Sequence, residues 1–380
     1  MKRLFAAALA AVLAVSFPQK TESVPDAPFS VDAKSFVLME ASTGQVLAGS
    51  EIHRPLAMAS TTKIMTALIT LEQPDLDDFF TVDADAIRVE GSSMGLLPGD
   101  SVTLRTLAAG MLLSSGNDAA NAAAVKIAGS VPAFVEKMNL RAKEMGLSDT
   151  SFETPSGLDG ENHYSTAYDM AVLARNALQN EDFASVCSQT KIQVSYGQPP
   201  YKRTLTNHNR LLSFYEGCIG VKTGFTKKAG RCLVSAAQRD GITLICVSLG
   251  AADDWNLHRM LLDWGFSQLE QVDLSQRLQG LTVPIAGEKT PLAVRYAGET
   301  KAVIPTGEEE NIRLELQLDR FYYRPLVKEQ KIGEAKFYLK EQLLCTADLF
   351  PQKDLPLPQK HKPKIRDFFH QLLAEKLLLI

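Results

Sequence analysis

Ser60-Thr61-Thr62-Lys63 follows the approach Arg54-Pro55-Leu56-Ala57-Met58-Ala59 and opens an apolar run, Ile64 to Leu71. The repeat predicts a helix whose first turn carries the tetrapeptide. The run is rich in Ile, Met and Leu on every side, which predicts a central, buried helix. Residues three apart share a helix face, so Ser60 and Lys63 stand one turn from each other. The first N–H groups of a helix lack intrahelical partners, and the positive end of its dipole lies beside them. A neutral lysine can take the serine's proton, and the N–H groups can hold an oxyanion. Four residues thus outline a nucleophile, a base and part of an oxyanion hole. The tetrapeptide alone decides little, because Ser-x-x-Lys arises about once or twice by chance in a chain this long. Ser188-Gln189-Thr190-Lys191 is a second copy, in a polar stretch without a helical apolar repeat, and reads as a decoy.

Two further motifs separate a catalytic helix from a capped surface one. Ser115-Gly116-Asn117 joins two apolar helical runs, Leu104 to Leu113 and Ala119 to Ala128. Lys222-Thr223-Gly224 follows the apolar stretch Cys218-Ile219-Gly220-Val221. Asn117 offers an acceptor and donors, suited to holding the Lys63 ammonium or bonding a substrate's peptide amide. Ser115 suits a proton relay toward a leaving nitrogen. A strand edge bearing Lys222 and Thr223 suits an anionic, peptide-like ligand added alongside it, and Gly224 permits close approach.

In this order the three motifs resemble those of the penicillin-recognising serine enzymes. Within that group the chain is most similar to the D-alanyl-D-alanine carboxypeptidases, the low-molecular-weight penicillin-binding proteins. The resemblance spans nearly the whole chain. It implies Ser60, Lys63, Ser115 and Asn117 as catalytic residues, and Lys222, Thr223, Gly224 and Phe225 as substrate-binding ones. The Phe225 N–H would join that of Ser60 in the oxyanion hole. Implied substrates are peptidoglycan stem peptides ending in D-Ala-D-Ala, with β-lactam antibiotics as inhibitors. No metal or organic cofactor is implied. A β-lactamase shares the motifs, but no Glu-x-x-Leu-Asn stretch lies between the second and third, and the second is Ser-Gly-Asn. A cross-linking transpeptidase, and a wall-binding or β-lactam-sensing protein without turnover, are the remaining readings.

With 380 residues and a net charge of −4, the chain has room for two or three domains and no basic excess that suggests nucleic acid. The five cysteines, Cys187, Cys218, Cys232, Cys246 and Cys345, show no metal-ligand spacing. Lys2 and Arg3 followed by apolar Leu4 to Val15 read as an export signal within residues 1–22, placing the rest outside the cytoplasm. Strand-like runs at Ser35–Glu40 and Gln45–Ala48 form a hairpin. Two more, Cys232–Gln238 and Ile242–Gly250, meet at Asp240-Gly241. Strands at both ends and helices between predict an α+β catalytic domain over 28–272, an antiparallel sheet flanked by helices. The glycine-rich loop Gly91 to Asp100 resembles one near the carboxypeptidase active site, although an ordinary surface turn fits its residues equally. Ser156, where some members of the resembled family place His or Asn, stays out of the predicted site.

After residue 273 short alternating runs predict a small β-sandwich, 273–358, and the carboxypeptidases carry a similar domain. A basic linker and an amphipathic helix, Ile365 to Ile380, close the chain within 359–380. Ile365, Phe368, Phe369, Leu372, Leu373 and Leu377 mark one face. The segment is too short and polar to span a bilayer and suits a peripheral anchor on an anionic membrane surface, here the outer face of the bacterial cytoplasmic membrane.

Overall fold

The computed structural model describes residues 24–357, so the expected leader and closing helix lie outside the described residues. Strands β1 (Ser35–Glu40) and β2 (Val46–Ser50) form the expected hairpin. Near the far end of the catalytic region come β3 (Cys218–Thr226), β4 (Gly230–Arg239) and β5 (Ile242–Ala251). The five make one antiparallel sheet in the order β2-β1-β5-β4-β3. Strand β3, which carries Lys222-Thr223-Gly224, is therefore an edge.

Side chains alternate across a strand, and β1 is covered on both faces. Val37 and Met39 join the core built around α1 (Lys63–Leu71), while Phe36 and Leu38 pack with Leu257, Leu261 and Leu262 of the helix Asp254–Ser267. Every residue of α1 is buried, including Lys63, Thr66 and Thr70. Helices α2 (Leu104–Leu113) and α3 (Asn117–Ala128) surround it and meet at the second motif.

Some local readings shift. Ser60 lies in a short 3₁₀ turn, Ala59–Thr62, and α1 proper begins at Lys63. Asn117 is the first residue of α3 rather than part of the preceding turn. Thr166 caps the helix Ala167–Ala177, its hydroxyl accepting from the Asp169 N–H. The decoy Ser188 hydroxyl binds the Ser185 carbonyl, and Lys191 is exposed at the start of a strand.

The C-terminal part is all-β. Five antiparallel strands from Thr282 to Pro351 share a core with the strand pair Leu269–Asp273 and Lys301–Pro305. Val272 and Ile304 of that pair meet Phe337, Ala347 and Leu349 of the larger sheet.

Candidate active site

The 3₁₀ turn seats Ser60 against the edge strand. A Cβ added to Gly224 would lie 3.0 Å from the Ser60 nitrogen and 3.1 Å from the Met58 carbonyl oxygen. The third motif therefore needs glycine for contact with the first. Two residues at the cleft hold left-handed backbone without being glycine, Ala59 at φ 49° and Ser115 at φ 58°. Such conformations cost about 1–3 kcal/mol and persist where surrounding structure imposes them.

Lys63 is fully buried, and its Nζ has three partners. It lies 3.1 Å from Ser60 Oγ, 2.7 Å from Asn117 Oδ1 and 2.6 Å from the Ser156 carbonyl oxygen. The two carbonyl-type oxygens can only accept, so each takes an N–H from Lys63. Ser60 alone of the three can donate. A neutral amine at this site thus points its lone pair at the serine hydroxyl. Burial holds the Lys63 pKa well below its ordinary value, the nearby Lys222 charge lowers it further, and Asp118 opposes them.

Lys222 is also buried, and burial brings its pKa down to about 7. Its Nζ donates to Ser115 Oγ at 3.1 Å and to the Thr223 carbonyl at 2.8 Å. The two expected residues of the second motif thus serve different lysines, Asn117 on Lys63 and Ser115 on Lys222. The lysines sit behind a wall of hydroxyls. The cleft surface itself, about 300 Å³, is lined by Ser60, Ser115, Thr223, Gly224 and Phe225, with Ser92, His208, Arg231, Asp254 and Trp255.

Several of these contacts escaped the motif reading. Ser156 enters through its carbonyl, a contact indifferent to side-chain identity. Asn117 Nδ2 donates to the Glu90 carbonyl at 2.6 Å, and the Asn117 N–H to that of Ser92 at 2.7 Å. The neighbouring Asp118 carboxylate binds the Ser93 hydroxyl and the N–H groups of Met94, Gly95 and Leu96. The glycine-rich loop is thereby fastened to the start of α3 and brings Ser92 to the cleft. Arg231 lines the cleft, and it is paired with Asp254 at 2.6 Å.

His163 supports the segment that carries Ser156. Its Nδ1 accepts from the Glu153 N–H at 2.9 Å, so Nε2 carries the proton and donates to Thr62 Oγ1 at 2.9 Å. Thr62 in turn donates to the Ala59 carbonyl. Gly157, at φ 85°, packs so closely that a Cβ would meet the Ala59 oxygen at 2.1 Å. Only neutral histidine serves both bonds, and burial lowers its pKa to about 4. We expect His163→Leu to cost about 1–3 kcal/mol at pH 7, because the Glu153 N–H loses its acceptor and the Thr62 hydroxyl its donor. The unfolded chain takes up this proton near pH 6.5, so His163 stabilises fully above that and loses its contribution as pH falls toward 4. Denaturant melts should therefore show the wild-type advantage narrowing from pH 7 to pH 4; a constant gap would exclude this role.

A larger cleft, about 570 Å³, opens beside Glu40, Arg175 and Thr243. There Ser42 and Thr43 occupy the Glu40 carboxylate, and the Ala41 and Ser42 carbonyls occupy Arg175. Chemistry rather than size therefore singles out the Ser60 cleft.

Residues 19–253 match the family model described as D-alanyl-D-alanine carboxypeptidase, and residues 285–356 match that of the penicillin-binding protein 5 C-terminal domain. The chain is 33% identical to the D-alanyl-D-alanine carboxypeptidase DacF of Bacillus subtilis, over 93% of its own length and 95% of the relative's. It is 35% identical to the carboxypeptidase DacC of Escherichia coli, over 84% and 82% of the two. Among solved structures, penicillin binding protein 5 of Haemophilus influenzae superposes with a TM-score of 0.63 at 29% identity, covering 87% of this chain and 99% of that one. The expected fold class is thus present, and the chain belongs to the D-alanyl-D-alanine carboxypeptidase family of serine peptidases.

Proposed function

We propose that this protein is a serine D-Ala-D-Ala carboxypeptidase that trims peptidoglycan stem peptides through a Ser60 acyl-enzyme and is acylated there by β-lactams. The observation that carries the reading is the three-partner environment of Lys63 Nζ, in which Ser60 alone can give a proton. In the first step the Ser60 proton passes to Lys63 as Oγ bonds to the carbonyl carbon of the D-Ala-D-Ala peptide. The Ser60 and Phe225 N–H groups face the developing oxyanion. The peptide lies antiparallel along the free edge of β3, and the second N–H of Asn117 Nδ2 binds its amide. Lys222, charged below about pH 7, supplies positive potential for the terminal carboxylate through Ser115 and Thr223. By way of Ser115 the proton held by Lys63 reaches the leaving nitrogen, the C–N bond breaks, D-alanine departs, and Lys63 is a neutral amine again. Water then attacks the ester, Lys63 takes its proton and returns it to Ser60 Oγ as the ester C–O bond breaks, and the trimmed peptide leaves.

The test is D-alanine release from an acyl-D-Ala-D-Ala peptide, with the intact mass after brief penicillin treatment. A lasting single adduct together with D-alanine release is expected. Drug consumed without an adduct would point to a β-lactamase, and an adduct without D-alanine release to a sensor.

The protein acts outside the cytoplasm and is held at the membrane surface by residues 365–380. The basic start and apolar core of residues 1–15 support export, and the one-sided apolar pattern after a basic linker supports the anchor.

A further inference from the structure

We propose that one corner of the β unit, around Phe321 and Tyr323, is a second lipid-contact surface that rests on the same anionic membrane as the tail. Phe321, Tyr323, Val327 and Leu357 are 48%, 67%, 53% and 63% exposed. Phe321, Tyr323 and Val327 alternate with buried Tyr322 and Leu326 along an extended segment held by isolated bridges, so these three turn away from the core, and Leu357 follows two residues after buried Leu355. The Phe321 and Tyr323 rings pack edge to face, 5.4 Å apart.

This segment is fastened to the end of the β unit. Leu326 and Leu355 exchange both backbone hydrogen bonds, at 3.0 and 2.8 Å. Arg324 donates to the Pro356 carbonyl, and the Lys328 N–H to Asp354. The aromatic pair is thus tied to the place from which residues 358–380 continue. That continuation holds Lys360, His361, Lys362, Lys364 and Arg366 and then the apolar positions of the proposed anchor. Exposed Arg320, Lys328 and Lys353 lie in the same segments with exposed Asp319 and Asp354, while Glu288 is paired with Arg324 and Glu329 with Arg295. Aromatic rings beside basic side chains are the composition that settles at an anionic headgroup layer. Exposed apolar residues scattered singly need no explanation, but a contiguous group marks a contact surface.

The proposal rests on the membrane-anchor reading and is tested separately from it. The full exported chain, a Phe321→Ser/Tyr323→Ser variant and a Phe368→Ser/Leu372→Ser variant are sedimented with phosphatidylglycerol–phosphatidylethanolamine vesicles. A Tyr323→Trp variant reports insertion through quenching by brominated lipid, against the wild-type background of Trp255 and Trp264. We expect the patch variant to lose roughly tenfold in partitioning, from the apolar area no longer buried in lipid, with D-alanine release from a soluble peptide unchanged. The introduced indole should be quenched. If the patch variant partitions as wild type while the tail variant falls, the tail alone holds the protein and the proposal is overturned. If the tail variant partitions as wild type and the patch variant falls, the anchor reading fails and the patch stands as the contact. Fluorescence of the introduced indole already blue-shifted without vesicles, and red-shifted when the tail is altered, would mean that the tail covers the patch, which also overturns the proposal. Wild-type protein that binds no vesicle overturns both readings.

Discussion

Ser60→Ala should lower D-alanine release by at least about 10⁴-fold and abolish the penicillin adduct, because among the described residues Ser60 is the hydroxyl bonded to Lys63 Nζ. Its side chain is small, half-buried and bonded to Lys63 among the described contacts, so its removal leaves the surrounding packing in place. The melting temperature should therefore stay close to that of wild type while activity collapses. Ser115 is the other serine hydroxyl within the motifs, but it lies on Lys222 and not on the proposed base. Intact mass after penicillin treatment decides the matter. An adduct of undiminished yield on the alanine variant would place the nucleophile elsewhere and dismantle the mechanism.

Lys63→Met should slow acylation by about 10³-fold, the typical contribution of a positioned general base. Single-turnover acylation by penicillin measures this step directly, and a rate near wild type would remove Lys63 from the role. The pH dependence carries more information. The base must be neutral, so the wild-type rate should rise with pH through the depressed pKa of Lys63. Lys222, when charged, contributes to that depression. Lys222→Met should therefore move the rising limb to higher pH, besides weakening carboxylate binding. An unmoved limb would mean that the two lysines do not sense each other.

The same displacement has a consequence for stability. The Lys222 pKa falls from 10.5 unfolded to about 7 folded, so the unfolded chain holds more protons between those values. Stability then rises with pH across that window and is lost as pH falls toward 7. The slope should be shallower in Lys222→Met, and denaturant titrations at pH 7 and pH 10 would show it.

Much of the site was legible because its three motifs are local. Ser60 and Lys63 belong to one turn, and Ser115 to Asn117 and Lys222 to Gly224 are continuous in the chain. What the spacing could not show is how residues far apart in sequence divide the work. Ser115 and Asn117 are two apart, yet the left-handed Ser115 and the start of α3 at Asn117 send them to different lysines. Lys222 looked like a ligand-facing charge, but the strand turns its side chain inward behind Ser115, which accounts for its lowered pKa. The Ser156 side chain departs from the pattern of some family members. The residue takes part through the backbone, which a residue comparison does not see. The Gly91 loop was ambiguous because nothing in its own residues reports that Asp118, more than twenty positions away, gathers its N–H groups.

The sequence by itself determined the α+β class, the buried central helix, the order of the motifs and the all-β unit that follows. Hydrophobic period and turn residues act over a few neighbours and can be read along the chain. Only the tertiary structure decided that Lys63 has two obligate acceptors and one possible donor, and that Lys222 stands behind the cleft wall. It alone set the exposed Phe321 and Tyr323 rings edge to face beside the end of the β unit. Burial, partner geometry and shared surfaces arise from contacts between distant segments, and those exist only once the chain has packed.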